Sequence, residues 1–205
     1  MKFVKIPNKD FEMQDVPVTQ KEWISIMGGT NPSNFEGPNK PVEMVSWDDC
    51  QEFIKKLNAK DKKYVYRLPT EQEWEYCAKP CDEQDIKEIA WCYENSKRST
   101  HDIRTKIKNK YGLYDMLGNV WEWTDSLDGS SRVLRGGSWY NDARNLRSAD
   151  RGYDGPGYRN GNVGFRLVRT AVSLGPITLD PSFDRTAQAL AIAREALLKI
   201  EELLK

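Results

Sequence analysis

The sequence predicts a mixed α+β domain over residues 1 to 170, poor in regular elements and rich in loop, with a separate helix behind it. Three observations lead there. Three helix starts in the first half share one signature, a hydroxyl residue three positions before an acid. Short strand-like pieces alternate with turns in the second half. After Arg169 the composition shifts to Ala, Leu, Glu and Lys.

The helix starts are Thr19-Gln20-Lys21-Glu22, Ser46-Trp47-Asp48-Asp49 and Thr70-Glu71-Gln72-Glu73. In each, the hydroxyl can cap the free N–H groups of the first turn while the acid reaches back to the cap residue. Val18 and Trp23 stand at staple positions around the first cap, and Gly28-Gly29 ends that helix. Cys50, Phe53, Ile54 and Leu57 give the second helix an apolar stripe. From Lys79 to about Lys110 the pattern dissolves into loop. Trp121 to Thr124, Val133 to Arg135 and Phe165 to Val168 read as strands, and the tryptophan-bearing strings are expected to form the core. Residues 171–180, with Gly175-Pro176, read as a linker. Asp180-Pro181 then starts a helix over 181–205, whose Leu190, Ala193, Leu197, Ile200 and Leu204 make a coiled-coil-like seam. An isolated helix of this length is marginal in water, so self-association into a homo-oligomer or docking on its own domain is expected.

Composition narrows the function. The chain of 205 residues has 31 Lys plus Arg against 31 Asp plus Glu. Nucleic-acid partners and membrane surfaces usually select a basic excess, so neither is expected. No apolar run approaches the ~20 residues that span a bilayer. Met1 to Lys5 lead into Pro7 and Asp10, so no export signal is legible. Cytoplasm is the default, with a cell surface or phage particle as alternatives. The four cysteines are Cys50, Cys77, Cys81 and Cys92. The last three with His101, the only histidine, match no common zinc spacing.

Several strings then carry a family. They are Pro17-Val18-Thr19-Gln20, Asn31-Pro32-Ser33-Asn34-Phe35, Pro41 to Trp47, Tyr66 to Glu71 with Glu73-Trp74-Glu75-Tyr76, and Tyr111 to Met116. Gly118-Asn119-Val120-Trp121-Glu122-Trp123, Arg135-Gly136-Gly137-Ser138-Trp139 and Gly164-Phe165-Arg166 follow. Over roughly residues 3 to 170 the chain resembles the sulfatase-modifying-factor family. That family includes the formylglycine-generating enzyme and has a C-type-lectin-like fold. The resemblance therefore implies that fold here, and it stops before the terminal helix.

The resemblance also argues against catalysis. The family's oxidase carries a cysteine pair shortly after the Arg-Gly-Gly-Ser string, and Trp139 to Asn162 holds no cysteine. A second branch gathers histidines around a non-haem iron, which one histidine cannot do. A Ser/His/Asp set would hang on His101 alone. A non-catalytic scaffold is expected, with a sulfatase-modifying-type enzyme and a structural or oligomerising lectin-fold module as the alternatives.

The segment about 139–163 supplies the candidate site. Fourteen of the twenty-three residues from Tyr140 to Asn162 are Asn, Tyr, Asp or Gly. They are Tyr140, Asn141, Asp142, Asn145, Asp150, Gly152, Tyr153, Asp154, Gly155, Gly157, Tyr158, Asn160, Gly161 and Asn162. Asn codons begin with two adenines, and replacing one or both yields Tyr, Asp or Gly. The string thus resembles the variable proteins of diversity-generating retroelements, in which adenines are mutated while a variable region is copied. Tyr gives stiff contact area with a polar tip, and Gly and Asn adapt the backbone, the mixture of antibody paratopes. An ordinary polar loop is the alternative, since turns also favour Asn, Asp and Gly. The expected partner is a protein or other macromolecular ligand, bound by fourteen positions on one exposed face, with interleaved Trp139, Ala143, Leu146, Arg147, Ala149, Arg151, Pro156 and Arg159 as the fixed frame.

Leu117 to Glu122 is similar to the family segment that binds structural Ca2+. The resemblance implies ligands from the backbone carbonyls of Leu117, Gly118 and Val120 and from the Glu122 carboxylate. The alternative is that Glu122 pairs with an arginine such as Arg135 or Arg166.

Overall fold

All three helix starts fold as their caps dictate. Thr19, Ser46 and Thr70 each accept from the backbone N–H three residues on, and Glu22, Asp49 and Glu73 reach back to the cap. These boxes open α1 (Gln20–Met27), α2 (Trp47–Lys60) and α3 (Glu71–Ala78). The computed structural model describes residues 1–82, 84–172, 193–199 and 202.

Two four-stranded sheets carry the helices. One joins β1 (Phe3–Lys5), β2 (Glu12–Gln14), β8 (Val168–Ala171) and β3 (Tyr64–Arg67) in that order, all antiparallel. The other joins β6 (Arg151–Asp154), β5 (Ser131–Arg135), β4 (Trp121–Asp128) and β7 (Val163–Phe165), with β4 and β7 parallel. A short α4 (Ile86–Ile89) interrupts the long loop before β4. Two small sheets with helices packed beside them make the mixed α+β domain that the sequence predicts.

Three local expectations need correction. Phe165 to Val168 is not one strand: β7 pairs with β4 and β8 with β2 and β3, and Arg166-Leu167 carry the chain from one sheet to the other. The Arg166 side chain is fully buried at that step, as are Phe165 and Leu167 on either side of it. The tryptophans divide as well. Trp74 and Trp123 are fully buried and Trp23 nearly so, while Trp47, Trp91, Trp121 and Trp139 are half-buried. Finally, the polar stretch before β7 contains β6, whose Arg-Gly-Tyr-Asp sequence has no apolar alternation to reveal it.

Two buried clusters fill the domain. One surrounds Trp74 with Phe11, Met13, Met116 and Leu117; the other surrounds Trp123 with Phe53, Phe165 and Leu134. Truncating either central tryptophan should cost about 3–5 kcal/mol. Met1–Ala171 and Val172–Lys205 are separate units. In the second, residues 193–199 are helical with Ala193, Leu197 and Leu198 exposed. The rest of the expected seam, Leu190, Ile200 and Leu204, and linker residues 173–180 lie outside the described residues. No helix among the described residues is long and apolar enough to cross a membrane.

Candidate ligand-binding surface

The segment after β5 is held from below by buried polar groups. Arg135, at the end of β5, is buried. Its Nη2 donates to the Ser148 carbonyl at 2.6 Å and to Glu75 Oε2 at 2.8 Å; its Nη1 donates to the Ala149 carbonyl at 3.0 Å. Asp82 accepts from both the backbone N–H and the hydroxyl of Ser148. Leu146 is buried against Gly137. Ser148 and Leu146 are therefore the internal anchors. The expected frame arginines lie at the surface in ion pairs: Arg147, Arg151 and Arg159 are exposed and pair with Asp150, with Glu71 and Asp128, and with Asp49. No sequence signal marked Ser148, since its partners are distant in the chain.

The fourteen candidate positions divide by exposure. Tyr140, Asn145, Tyr153, Gly155, Gly157, Tyr158 and Asn160 are exposed; Asn141, Asp142, Asp150, Gly152, Asp154 and Asn162 are half-buried; Gly161 is buried. Contacts join many of them. Asn141 Oδ1 accepts from the N–H and the hydroxyl of Ser138, and Asn162 Nδ2 donates to that same hydroxyl at 3.3 Å. Asn160 Nδ2 donates to Tyr158 Oη at 2.6 Å, and the Gly161 carbonyl accepts from Trp139 Nε1 at 3.0 Å. Tyr153 does not join its neighbours. Side chains alternate along β6, so Tyr153 points away from the side on which Gly152 and Asp154 lie. Arg144 holds the Asp142 carboxyl down at about 2, and Asp142 caps a short turn at Ala143–Asn145.

The glycines discriminate most sharply. A side chain at Gly155 or Gly157 would enter open space, and one at Gly152 would make ordinary contact with Leu134 and Trp121, 3.6–3.8 Å away. At Gly161 the nearest atom, 2.9 Å away, is the tip of the exposed Asn34 side chain, which can swing aside. None of these four has a left-handed backbone. Frame glycines differ: Gly118 has φ +74° and a Cβ there would lie 2.3 Å from the Trp91 carbonyl oxygen. The four codon-linked glycines thus accept replacement where the frame glycine does not.

Residues outside the segment complete the surface. Tyr93 is exposed and meets Tyr140 edge-on, with ring centroids 6.3 Å apart. Tyr140 meets Trp139 at 5.4 Å, and Trp139 meets Phe35 at 5.3 Å. Sequence reasoning missed Tyr93 and assigned Phe35 to the scaffold, because their proximity to Trp139 and Tyr140 comes only from folding.

Groups with catalytic potential are spent elsewhere. All four cysteines are buried free thiols. Burial pushes the Cys77 thiol to about 12 and the Cys81 thiol to about 11, and raises Cys50 and Cys92, so thiolate is scarce at neutral pH. His101 stacks on Trp91 at 3.7 Å and contacts the Ser96 carbonyl at 2.6 Å. Among the described residues no three His, Cys, Asp or Glu side chains converge.

Glu122 does not fit a calcium ligand. It is fully buried, and both its oxygens accept from Arg166, Oε2 from Nε and Oε1 from Nη2, each at 2.7 Å. Trp74 Nε1 adds a third donor at 2.7 Å. A cation sharing that carboxylate would face a guanidinium. Of the two arginine partners considered, Arg166 takes Glu122, while Arg135 takes Glu71 and Glu75. Leu117, Gly118 and Val120 lie just upstream in the chain, with Leu117 and Val120 buried in the core.

Comparison with known proteins places this arrangement. Among solved structures, Treponema denticola variable protein 1 superposes with a TM-score of 0.70 at 28% identity, covering 82% of this chain and 91% of that one. Chaperone protein LppX of Paenibacillus barcinonensis is 28% identical over 78% of this chain. Inactive C-alpha-formylglycine-generating enzyme 2 of Bos taurus is 31% identical over 64%, and the formylglycine-generating enzyme of Streptomyces coelicolor 28% over 73%. The matches span 80%, 50% and 61% of those three proteins in turn. The model for the sulfatase-modifying factor enzyme 1-like domain matches residues 2–171, and the chain belongs to that family.

Proposed function

We propose that this chain is a non-catalytic binding protein whose Tyr140–Asn162 surface is diversified to take different protein or other macromolecular ligands. The observation that carries the reading is the contrast between glycines. Codon-linked Gly152, Gly155, Gly157 and Gly161 all have a backbone that other residues adopt; Gly155 and Gly157 open onto free space, Gly152 meets only ordinary contacts, and Gly161 needs Asn34 to move, whereas Gly118 has a left-handed backbone and a carbonyl in the way. Tyr140 and Tyr158 are exposed, which fits recognition better than folding; Tyr153 is exposed too, on the other side of β6 from Gly152 and Asp154. The likeness to Treponema denticola variable protein 1 supports the same reading. Against oxidase chemistry stand the buried, protonated thiols.

The reading extends to assembly. Leu197 and Leu198, exposed on the helix at 193–199, suit packing against copies of that helix, which would array several faces and raise avidity.

A displayed library tests the proposal. Randomising the fourteen codons of the full chain should give folded members, some of which bind unrelated protein targets. Randomising Arg135, Leu146 and Ser148 should give few folded members. A fourteen-codon library without binders, together with oxidation of a cysteine-containing sulfatase peptide by the parent chain, would favour the enzyme instead.

A further inference from the structure

The loop 93–98 lies outside the fourteen positions yet is fastened to the segment that bears them. The Tyr93 N–H donates to the Asn141 carbonyl at 2.9 Å, and the Ser96 hydroxyl donates to the Trp139 carbonyl at 2.9 Å. The Ala143 N–H is shared between the Glu94 carboxylate oxygens at 3.2 and 3.1 Å. The rings Phe35, Trp139, Tyr140 and Tyr93 run edge to face along the surface. At the end of that run Arg98 lies over the Tyr93 ring and donates from Nη2 to Tyr93 Oη at 3.2 Å.

Two features single out this end. Lys97 and Arg98 both have left-handed backbones, with φ of 54° and 58°, uncommon for residues bearing a Cβ. The Ser96 hydroxyl accepts the Arg98 N–H at 3.2 Å and holds the turn. Such conformations persist where the surroundings enforce them, often at ligand clamps. Charge is the second feature. Arg144, Arg147, Arg151 and Arg159 each pair with an acid, whereas among the described residues Lys97 and Arg98 have no carboxylate partner. Both are exposed.

We infer that Lys97 and Arg98, with the hydroxyl of Tyr93, form a fixed anion-recognising edge of the variable face that takes a carboxylate from an acidic segment of a protein ligand. A guanidinium offers a planar fork that matches a carboxylate in two hydrogen bonds, and the adjacent Tyr93 hydroxyl can donate to the same group. Aromatic residues beside arginine are the usual energetic centres of protein interfaces. The edge rests on the binding reading above and adds to it a constant preference, since none of its cations lies at a codon-linked position. Diversification would then change the rest of the ligand while the acidic anchor stays.

The test pans a displayed library of random peptides against the full chain. Selected peptides should be enriched in Asp and Glu. Arg98→Gln should weaken them roughly tenfold, the loss of one charge-assisted contact. Arg98→Lys should weaken them less, Lys97→Gln should act in the same direction as Arg98→Gln, and added salt should weaken parent binding. Equal melting temperatures for parent and variants separate binding from folding. Selected peptides without acidic enrichment, or unchanged by Arg98→Gln, overturn the edge; if Tyr158→Ala still weakens them, the variable face survives. Peptides indifferent to both substitutions, or no binders at all, refute both. Displacement by inorganic phosphate but not by a poly-glutamate peptide overturns the carboxylate assignment.

Discussion

Replacing Glu122 by Gln should destabilise the domain by about 3–5 kcal/mol, the usual cost of leaving one member of a buried ion pair alone. The magnitude follows from the contacts. Glu122 accepts three hydrogen bonds at 2.7 Å, two from Arg166 and one from Trp74, and both charged side chains are fully buried. A glutamine keeps one acceptor oxygen but turns an N–H2 toward the guanidinium and removes the countercharge. At roughly 2–4 °C per kcal/mol for a domain of this size, the melting temperature should fall on the order of 10 °C. Urea unfolding followed by tryptophan fluorescence measures the loss. The double change Glu122→Leu with Arg166→Met should recover part of it: no charge is then stranded, but the Gln14, Tyr114 and Asp115 carbonyls and Trp74 Nε1 lose a partner. EDTA should leave the parent's melting temperature unchanged, since the carboxylate belongs to Arg166. A Glu122→Gln loss below about 1 kcal/mol would refute the ion-pair account. A fall on chelation with calcium found by elemental analysis would return Glu122 to the ligand role the family resemblance implied.

Three further outcomes follow. Burial raises the Asp115 carboxyl to about 6, so the folded state holds that proton more tightly than the unfolded chain. Its stabilising contribution is complete below about pH 4 and is lost as pH rises through about 6, so the stability of Asp115→Asn relative to the parent should improve by about 2–3 kcal/mol over that range. A difference that does not change with pH would contradict this. Gly137→Ala should cost at least about 2 kcal/mol, because φ is +70° and the new Cβ would lie 2.1 Å from Leu146 Cδ2. Gly155→Ala should stay within about 0.5 kcal/mol of the parent, and equal losses in urea unfolding would undo the distinction between frame and variable glycines. Light scattering should find the full chain multimeric and a chain ending at Val172 monomeric; the cut falls there because β8 runs to Ala171. Two monomers would reject assembly through the helix.

Helix starts were legible because capping is a local chemistry: the hydroxyl, the acid and the N–H groups they satisfy lie within four residues of one another. The strands were less so. β1, β2 and β3 are three or four residues long and gain their definition from partners far away in the chain, β2 from β8 for instance. β6 is an edge strand that borrows its register from β5. Arg166 looked like a strand residue and stood beside Arg135 as a candidate partner of Glu122; the change of sheet is what buries it there and decides between the two. At the candidate surface, the codon pattern marked which positions are rich in Asn, Tyr, Asp and Gly. It gave no information on side: Tyr153 lies across β6 from Gly152, and Asn141 serves Ser138 rather than solvent. Tyr93 and Arg98 had no local signature, because proximity alone joins them to Tyr140.

The central claim is that the Tyr140–Asn162 positions vary by adenine-directed copying. Sequencing the native locus with its flanking DNA tests this most directly. The account predicts a reverse transcriptase gene nearby and an adenine-rich near-copy of the segment. In that copy the fourteen codons should read as Asn, and the intervening codons should match the expressed gene. A locus with neither, in cells whose copies of this gene differ no more at the fourteen codons than elsewhere, would contradict it.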